Sequence, residues 1–430
     1  MVQSPSRPVR SLCFVAFDAT PLIFPDAHGS IGGAETRVLL MARALSVESG
    51  VKVFIAVRDS RARSPQIVDG IHVITTTDRL FRIRRFVSEH VTVLPSFPWL
   101  RIRRWRSRLI WQIPLLFVAR LFRPSSPHEV SYDWLVNEAN CDTYCCMGTS
   151  RRTSEVFRTA KQYGRRTVLF IASDADLDGR YISDPNFINE YGDRGEDCAD
   201  AIRSADLIVC QTTVQQQRLF ERFGRESVRL PNPFDHHDWN RKLQSLQHTT
   251  GTSAGIPQRF VFWIGRSDRH HKRPHLLLQI AARCPEIPFV MIMNTENEEV
   301  AAEVCSGCPP NVQIRKRVPF SEMPLYFQHS AIFLSTGSKA FEGFPNVFLQ
   351  AAATHVPIVS LEADPGFIRE CSAGVVCDGD IDLLIQEVKR LWNDSELAVT
   401  LGNNGYDYVC REHSPEDTRR QLLEIVDAVR

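Results

Sequence analysis

The residues with the most chemistry to offer sit in two short stretches. One runs from Ser335 to Gln350, STGSKAFEGFPNVFLQ. A strand ending near Ser335 leads into a loop with Gly337 and Gly343, and Pro345 suits the first position of a helix, where its missing N–H costs nothing. The amides of Asn346 and Val347 would then point out of the helix terminus, where free N–H groups and the helix dipole favour phosphate. Glu342 stands just before, placed to accept hydroxyl hydrogen bonds. Asn346 and Gln350 are four apart and share a helix face. The other stretch is Phe262 to Pro274, FWIGRSDRHHKRP. A strand ends at Gly265, Arg266 and Lys272 follow in a polar loop, and Pro274 opens a helix. The fork of Arg and the point charge of Lys at a strand's carboxyl end suit a diphosphate. Together the stretches describe a sugar–phosphate pocket. Each also reads as ordinary surface: a strand–loop–helix carrying an exposed glutamate, and a solvated basic loop.

Elements able to position these residues are legible. Ser11 to Phe17 reads as a strand, followed by a loop with Gly29, Gly32 and Gly33. Ala34 to Leu45 has apolar residues at helical spacing, and Val51 to Val57 is the next strand. Further strands are expected at Ile71–Thr76, Asp142–Met147, Thr167–Ala172 and Ala205–Gln211. A second alternating series has strands at Phe260–Ile264, Phe289–Met293, Val312–Val318, Ile332–Ser335, Ile358–Leu361 and Gly374–Cys377, with a long helix at Ile381–Trp392. Alternation of this kind predicts α/β architecture with parallel sheets. Between the series, Asn240 to Gln258 is polar and reads as a linker or long surface loop. The expected molecule is two Rossmann-like, doubly wound domains facing a central cleft, with ligands beyond the carboxyl ends of the strands.

Composition narrows the class. The 430 residues are 43% hydrophobic and 23% charged, which excludes disorder or a fibrous fold for most of the chain. A net charge of +1 gives no general reason for a nucleic-acid partner. No segment reaches the roughly 18 apolar residues of a membrane span; Leu109 to Ala119 comes nearest and is interrupted by Gln112 and Pro114. The apolar run Leu12 to Phe17 is short for a signal peptide, so a cytoplasmic protein starting near Met1 is expected. The 12 cysteines are scattered, with Cys13, Cys146 and Cys210 in strand-like runs, and read as reduced, buried thiols. Cys305 and Cys308 form a single CxxC without a second pair, read as structural or incidental. The adjacent pairs His236–His237 and His270–His271 read as surface residues.

Arg79 to Arg123 departs from this pattern, with eleven arginines, one acid (Glu89) and interleaved aromatics including Trp99, Trp105, Trp111 and Phe117. It reads either as a solvated basic surface with a packed apolar side, or as an in-plane amphipathic segment contacting anionic lipid, with Trp105 and Trp111 at the interface. Nucleic acid fits less well, because no known binding module accompanies the charge.

Taken in order, Gly265-Arg266 with Lys272, then Glu342-Gly343-Phe344-Pro345-Asn346 and Gln350, then Pro357-Ile358-Val359 and Gly374-Val375-Val376, resemble the retaining, GT-B-fold glycosyltransferases of family 4 (glycosyl transferases group 1). Gly32-Gly33-Ala34-Glu35 and Leu230-Pro231-Asn232-Pro233 with Asp235 also fit. The resemblance runs from about Ser11 to Trp392 and is weak from Arg79 to Asn140.

It implies an N-terminal acceptor-binding domain over 1–243, a linker over 244–258, and a nucleotide-sugar-binding domain over 259–410. It also implies a final helix over 411–430 crossing back to the N-terminal domain. The implied reaction moves a sugar from a UDP- or GDP-sugar to a hydroxyl of a sugar or lipid-linked acceptor, with retention. Cell-surface polysaccharide or glycolipid synthesis is the implied setting. Arg266 and Lys272 would hold the diphosphate, Glu342 the donor sugar, and Gln350 the ribose. Gly265, Gly343, Phe344, Pro345, Asn346 and Val347 would complete the donor site. Gly32 and Gly33 would let backbone approach the phosphates and acceptor. No cofactor, metal or dedicated base is implied.

Three positions depart from the family's pattern. Gln350 stands for a second Glu; its amide oxygen can still accept from a hydroxyl. His355 replaces a glycine before Val-Pro, where a left-handed helix end is expected. Ser173-Asp174 stand where a histidine often faces the donor sugar. Asp174-Ala175-Asp176 also has the form of a metal-binding DxD; Asp174 reads rather as an acceptor contact or as part of a loop or cap. The rival readings are a GT-B nucleotide-sugar epimerase and a non-catalytic nucleotide-sugar-binding protein.

Overall fold

The structure is a computed structural model and describes residues 10–24, 27, 32–59, 61, 63–77, 80–93, 97–102, 104–121, 131–189, 191–249, 255–316 and 318–428. Gly29, Arg79, Arg103, Phe122 and Arg123 lie outside the described residues. The chain forms two compact units, one of Met1–Cys146 with Arg152–Thr167, the other of Met147–Arg151 with Val168–Arg430.

In the first unit the strands are β1 (Arg10–Val15), β2 (Val51–Asp59), β3 (Gln66–Val68), β4 (Ile71–Thr77), β5 (Val91–Val93), β6 (Leu100–Ile102) and β7 (Thr143–Met147). β1 pairs in parallel with β2 and β7, β2 in parallel with β4, and β3 closes the edge antiparallel to β4. The helix Gly33–Ser46 connects β1 to β2, giving the βαβ unit that the sequence predicts. β5 and β6 form a separate antiparallel pair, flanked by the helices Phe81–His90 and Leu109–Leu121.

The second unit holds β8 (Arg166–Phe170), β9 (Leu207–Cys210) and β10 (Val228–Arg229), paired in parallel through Val168–Phe170. It also holds a six-stranded sheet of β11 (Phe260–Arg266), β12 (Phe289–Asn294), β13 (Val312–Arg315), β14 (Ser330–Ser335), β15 (Ile358–Ser360) and β16 (Gly374–Val376). The spatial order β13-β12-β11-β14-β15-β16, all parallel, is doubly wound. Order reverses between β11 and β14, and ligands bind at that switch point in such sheets.

The strand FVFWIGR shows why the sequence reads so clearly. A parallel strand covered on both faces is apolar at every position. Successive side chains alternate faces: Phe260 and Phe262 enter one core with Phe333 and Phe348, while Val261 and Trp263 enter the opposite core with Leu277 and Leu334.

Two expectations are corrected. The polar stretch after Asn240 continues a helix, His236–Thr249. Its composition is loop-like, but Asp235 Oδ1 accepts from Asp238 N (2.8 Å), Lys242 pairs with Asp238 (2.6 Å), and buried Trp239 packs on Phe327. Tertiary anchoring of one aromatic outweighs weak propensity. His236 is likewise buried rather than on the surface, with its ring 4.0 Å from that of His237. Burial pushes the thiols of Cys13, Cys145 and Cys146 up, as suits inert core cysteines.

Candidate functional site

The loops after β11 and β14 leave adjacent strands on either side of the switch point, and they are stitched together. Asp268 organises the first loop by accepting from His270 N (3.1 Å) and Lys272 N (3.2 Å). Arg273 follows in a left-handed conformation (φ 49°). Its guanidinium donates to Thr336 O (2.7 Å), Gly337 O (3.0 Å) and Glu362 Oε1 (2.6 Å). Thr336 Oγ1 donates to Lys272 O (2.6 Å) and accepts from Trp263 Nε1 (2.9 Å). Ser338 N donates to His271 O (2.9 Å).

Held this way, Lys272 Nζ lies 2.5 Å from Glu342 Oε1, both side chains largely buried. The glycines make this possible. A Cβ on Gly265 would meet Trp263 and, at 3.0 Å, Lys272 Cβ; one on Gly337 would lie 3.1 Å from Glu342 Cγ. Arg266 is more exposed and pairs with Glu296 Oε2 (2.9 Å).

The segment Gly343–Asn346 meets a second group of residues in the same unit. A Cβ on Gly343 would come within 3.0 Å of Ala172 O and Ser173 Cα. Phe344 N donates to Gln211 Oε1 (3.2 Å), and Gln211 Nε2 donates back to Ile171 O and Ala172 O (2.8 Å each). Asn232 Nδ2 donates to Asn346 Oδ1 (2.9 Å). Phe344 stacks obliquely near His413 at 5.3 Å between ring centres. His413 is buried; desolvation holds its imidazole down at about 4, and Nδ1 lies 2.6 Å from Asn232 O. That carbonyl only accepts, so Nδ1 carries the proton.

Residues 258–394 match the family model described as glycosyl transferases group 1. That stretch is therefore similar to group 1 glycosyltransferases. No curated protein matches the chain in sequence. Among solved structures, the chain is similar to sucrose-phosphate synthase from Thermosynechococcus elongatus, at 15% identity, with 97% of this chain and 98% of that chain covered and a TM-score of 0.66. It is similar to Anabaena HepE in complex with UDP and glucose, at 13% identity, covering 97% and 100%, TM-score 0.62. It is also similar to a UDP-forming trehalose-phosphate synthase from Burkholderia xenovorans, at 12% identity, covering 98% and 99%, TM-score 0.62. The fold is therefore GT-B, with two Rossmann-like domains.

Within residues 258–394, Pro345 is the N-cap of the helix Asn346–Ala352, one residue earlier than the first helical position expected. Its φ of −68° and ψ of 113° are extended, the geometry proline favours just outside a helix. Asn346 spends its side chain on Asn232, and Val347 packs against the core. Gln350 is buried on the same short helix, its backbone carbonyl accepting from Thr354 Oγ1 (2.9 Å). His355 adopts φ 57°, as its glycine-like position requires, and is steadied by Asn403 (2.8 Å) and a stacked Tyr406 ring at 4.0 Å.

Asp174 is held by Arg218 and by Gln215 Nε2 (3.0 Å). Burial nevertheless pushes its carboxyl up, against the pull of Arg218. Asp176 points elsewhere, accepting from Thr149 N (2.8 Å), Ala172 N (2.8 Å) and Ser173 N (2.9 Å). The DxD therefore does not converge, and no group of three metal-ligating side chains occurs among the described residues. Gly32 caps and Gly33 begins the helix Gly33–Ser46 in the first unit, where the Glu35 carboxylate folds back against Gly32.

Arg273, Gln211, Asn232 and His413 organise the site and were not singled out by type. Only Asn232 carried a signal, as part of Leu230-Pro231-Asn232-Pro233. No helix among the described residues is long and apolar enough to cross a membrane.

Proposed function

We propose that the protein is a retaining glycosyltransferase of family 4 that moves a sugar from a nucleotide sugar to an acceptor hydroxyl. The observation that carries this is the Lys272–Glu342 pair on two loops at the switch point of a doubly wound sheet. Arg266 and Lys272 bind the donor diphosphate. Two or so negative charges there outcompete the single carboxylate now holding Lys272, and Glu342 turns to the donor sugar's hydroxyls. The bond from the sugar's anomeric carbon to the phosphate oxygen breaks and a bond to the acceptor oxygen forms on the same face. The acceptor's proton passes to the leaving phosphate, so no dedicated base or metal is needed. Charge growing on the departing diphosphate is what Arg266 and Lys272 stabilise.

UDP is the favoured donor nucleotide, with GDP as the alternative. HepE was solved with UDP and with UDP-glucose, and the Burkholderia synthase is UDP-forming. The acceptor is a sugar or lipid-linked hydroxyl, in polysaccharide or glycolipid synthesis on the cytoplasmic side of a membrane.

Thermal stabilisation by UDP, GDP and ADP, each beside its sugar conjugates, tests the donor site on the parent and on Lys272→Ala. A ligand at about one hundred times its dissociation constant adds roughly 2.7 kcal/mol. One nucleotide should shift the parent and not the variant. No shift with any nucleotide would overturn the transferase reading in favour of a non-catalytic protein.

A further inference from the structure

The helix Leu109–Leu121 is turned inside out. At about 100° per residue, Ile110, Trp111, Leu115, Phe117, Val118 and Leu121 fall within one arc of about 160°. All six are exposed, Leu121 by 82%. On the opposite side Leu109 and the polar Gln112 are buried, at 1% and 5% exposure, and Gln112 Oε1 has no hydrogen-bond partner among the described residues. A helix on a water-facing surface places its residues the other way round. Contiguous apolar patches of this kind mark an interaction surface.

Charge identifies what covers it. Arg101, Arg106 and Arg108, leading into the helix, are exposed beside Trp99 and Trp105, also exposed. Glu89 is the only acid between positions 79 and 123. An apolar face with tryptophans and arginines at its rim matches the boundary of a bilayer carrying anionic lipid. A second copy of the chain fits worse, because a two-fold contact would bring the arginine cluster towards itself. The 13-residue helix is about 20 Å long at 1.5 Å per residue, short of the roughly 30 Å hydrocarbon core, so it lies in the interface.

We propose that this face docks in the plane of an anionic bilayer. Ile110, Leu115, Phe117 and Val118 enter the acyl boundary, Trp105 and Trp111 sit at headgroup depth, and the arginines contact lipid phosphates. The contact is read without donor or acceptor, so its failure and that of the transfer reading are separable.

The test is co-sedimentation of the full chain with vesicles of phosphatidylcholine alone and of equal phosphatidylcholine and phosphatidylglycerol. Binding is expected to the second, weakening with salt. Trp111→Ser with Leu115→Ser and Phe117→Ser should reduce it at least about tenfold, since each buried CH₂ contributes several-fold. Arg101→Glu with Arg106→Glu and Arg108→Glu should reduce it on the order of a hundredfold, about fivefold per arginine. All six positions are exposed, so circular dichroism should report an unchanged fold. Absence of binding to the anionic vesicles by the parent overturns the proposal. So does equal binding to both vesicle types, or a concentration-dependent dimer, without vesicle binding, that the serine variant abolishes.

Discussion

Lys272 and Glu342 lie 2.5 Å apart although the chain between them passes through three strands and several helices. The pair joins the loop after β11 to the loop after β14 and places both charges where order reverses in the sheet. Lys272→Ala removes the cation and leaves a largely buried carboxylate without its counter-charge. Transfer should fall by about a hundredfold or more, the loss typical of one transition-state electrostatic contact. Turnover with a nucleotide-sugar donor, beside far-ultraviolet circular dichroism to show retained fold, is the check. Undiminished turnover would remove Lys272 from the donor site.

Arg273 touches no expected ligand position and instead ties Gly337, Thr336 and Glu362 together. Arg273→Lys keeps charge but cannot reproduce three contacts from one planar fork. The variant should lose about 1–3 kcal/mol in urea unfolding, with the donor's KM raised. A loss in kcat alone, with KM and stability unchanged, would contradict a positioning role.

Gly343 meets backbone, not a flexible side chain, at Ala172 and Ser173. Gly343→Ala must therefore push the two segments apart, at about 1–3 kcal/mol for an overpacked site. Thermal unfolding and donor titration read this directly; a variant as stable and as active as the parent would show that the approach is looser.

His413 is held neutral by burial, with its pKa down at about 4 against about 6.5 in the unfolded chain. The unfolded state thus takes up the proton first as pH falls. The contribution is complete above about pH 6.5, is lost progressively towards pH 4, and amounts to roughly 3 kcal/mol. Urea unfolding at pH 7 and pH 5 should show a smaller acid loss for His413→Gln than for the parent. Because His236 and His275 are also shifted down by burial, only the difference between the two proteins isolates His413.

Much of the fold was open to a sequence reading because the sheet strands are buried on both faces. Ile358–Ser360 and Phe289–Asn294 are short apolar runs that hardly differ from the ranges predicted. The helix His236–Thr249 was not legible, since its stability comes from Trp239 beneath Phe327 rather than from its polar residues. Asp174 illustrates the same limit: its sequence context leaves an acceptor contact and a loop or cap role both open, and Arg218 and Gln215 hold its carboxylate.

The sequence by itself determined the α/β series, the glycine-rich loops, and Lys272, Glu342 and Arg266 as the charged residues at strand ends. Residue type and local spacing carry that information. Tertiary structure alone decided that Lys272 pairs with Glu342, that Arg273 locks the two loops, that Gly343 fits against Ala172–Ser173, and that the Leu109–Leu121 helix shows its apolar face outward. Such relationships depend on strand order and on which helix face is covered. Those are set by the packing of the whole unit, at distances along the chain over which local propensity has no influence.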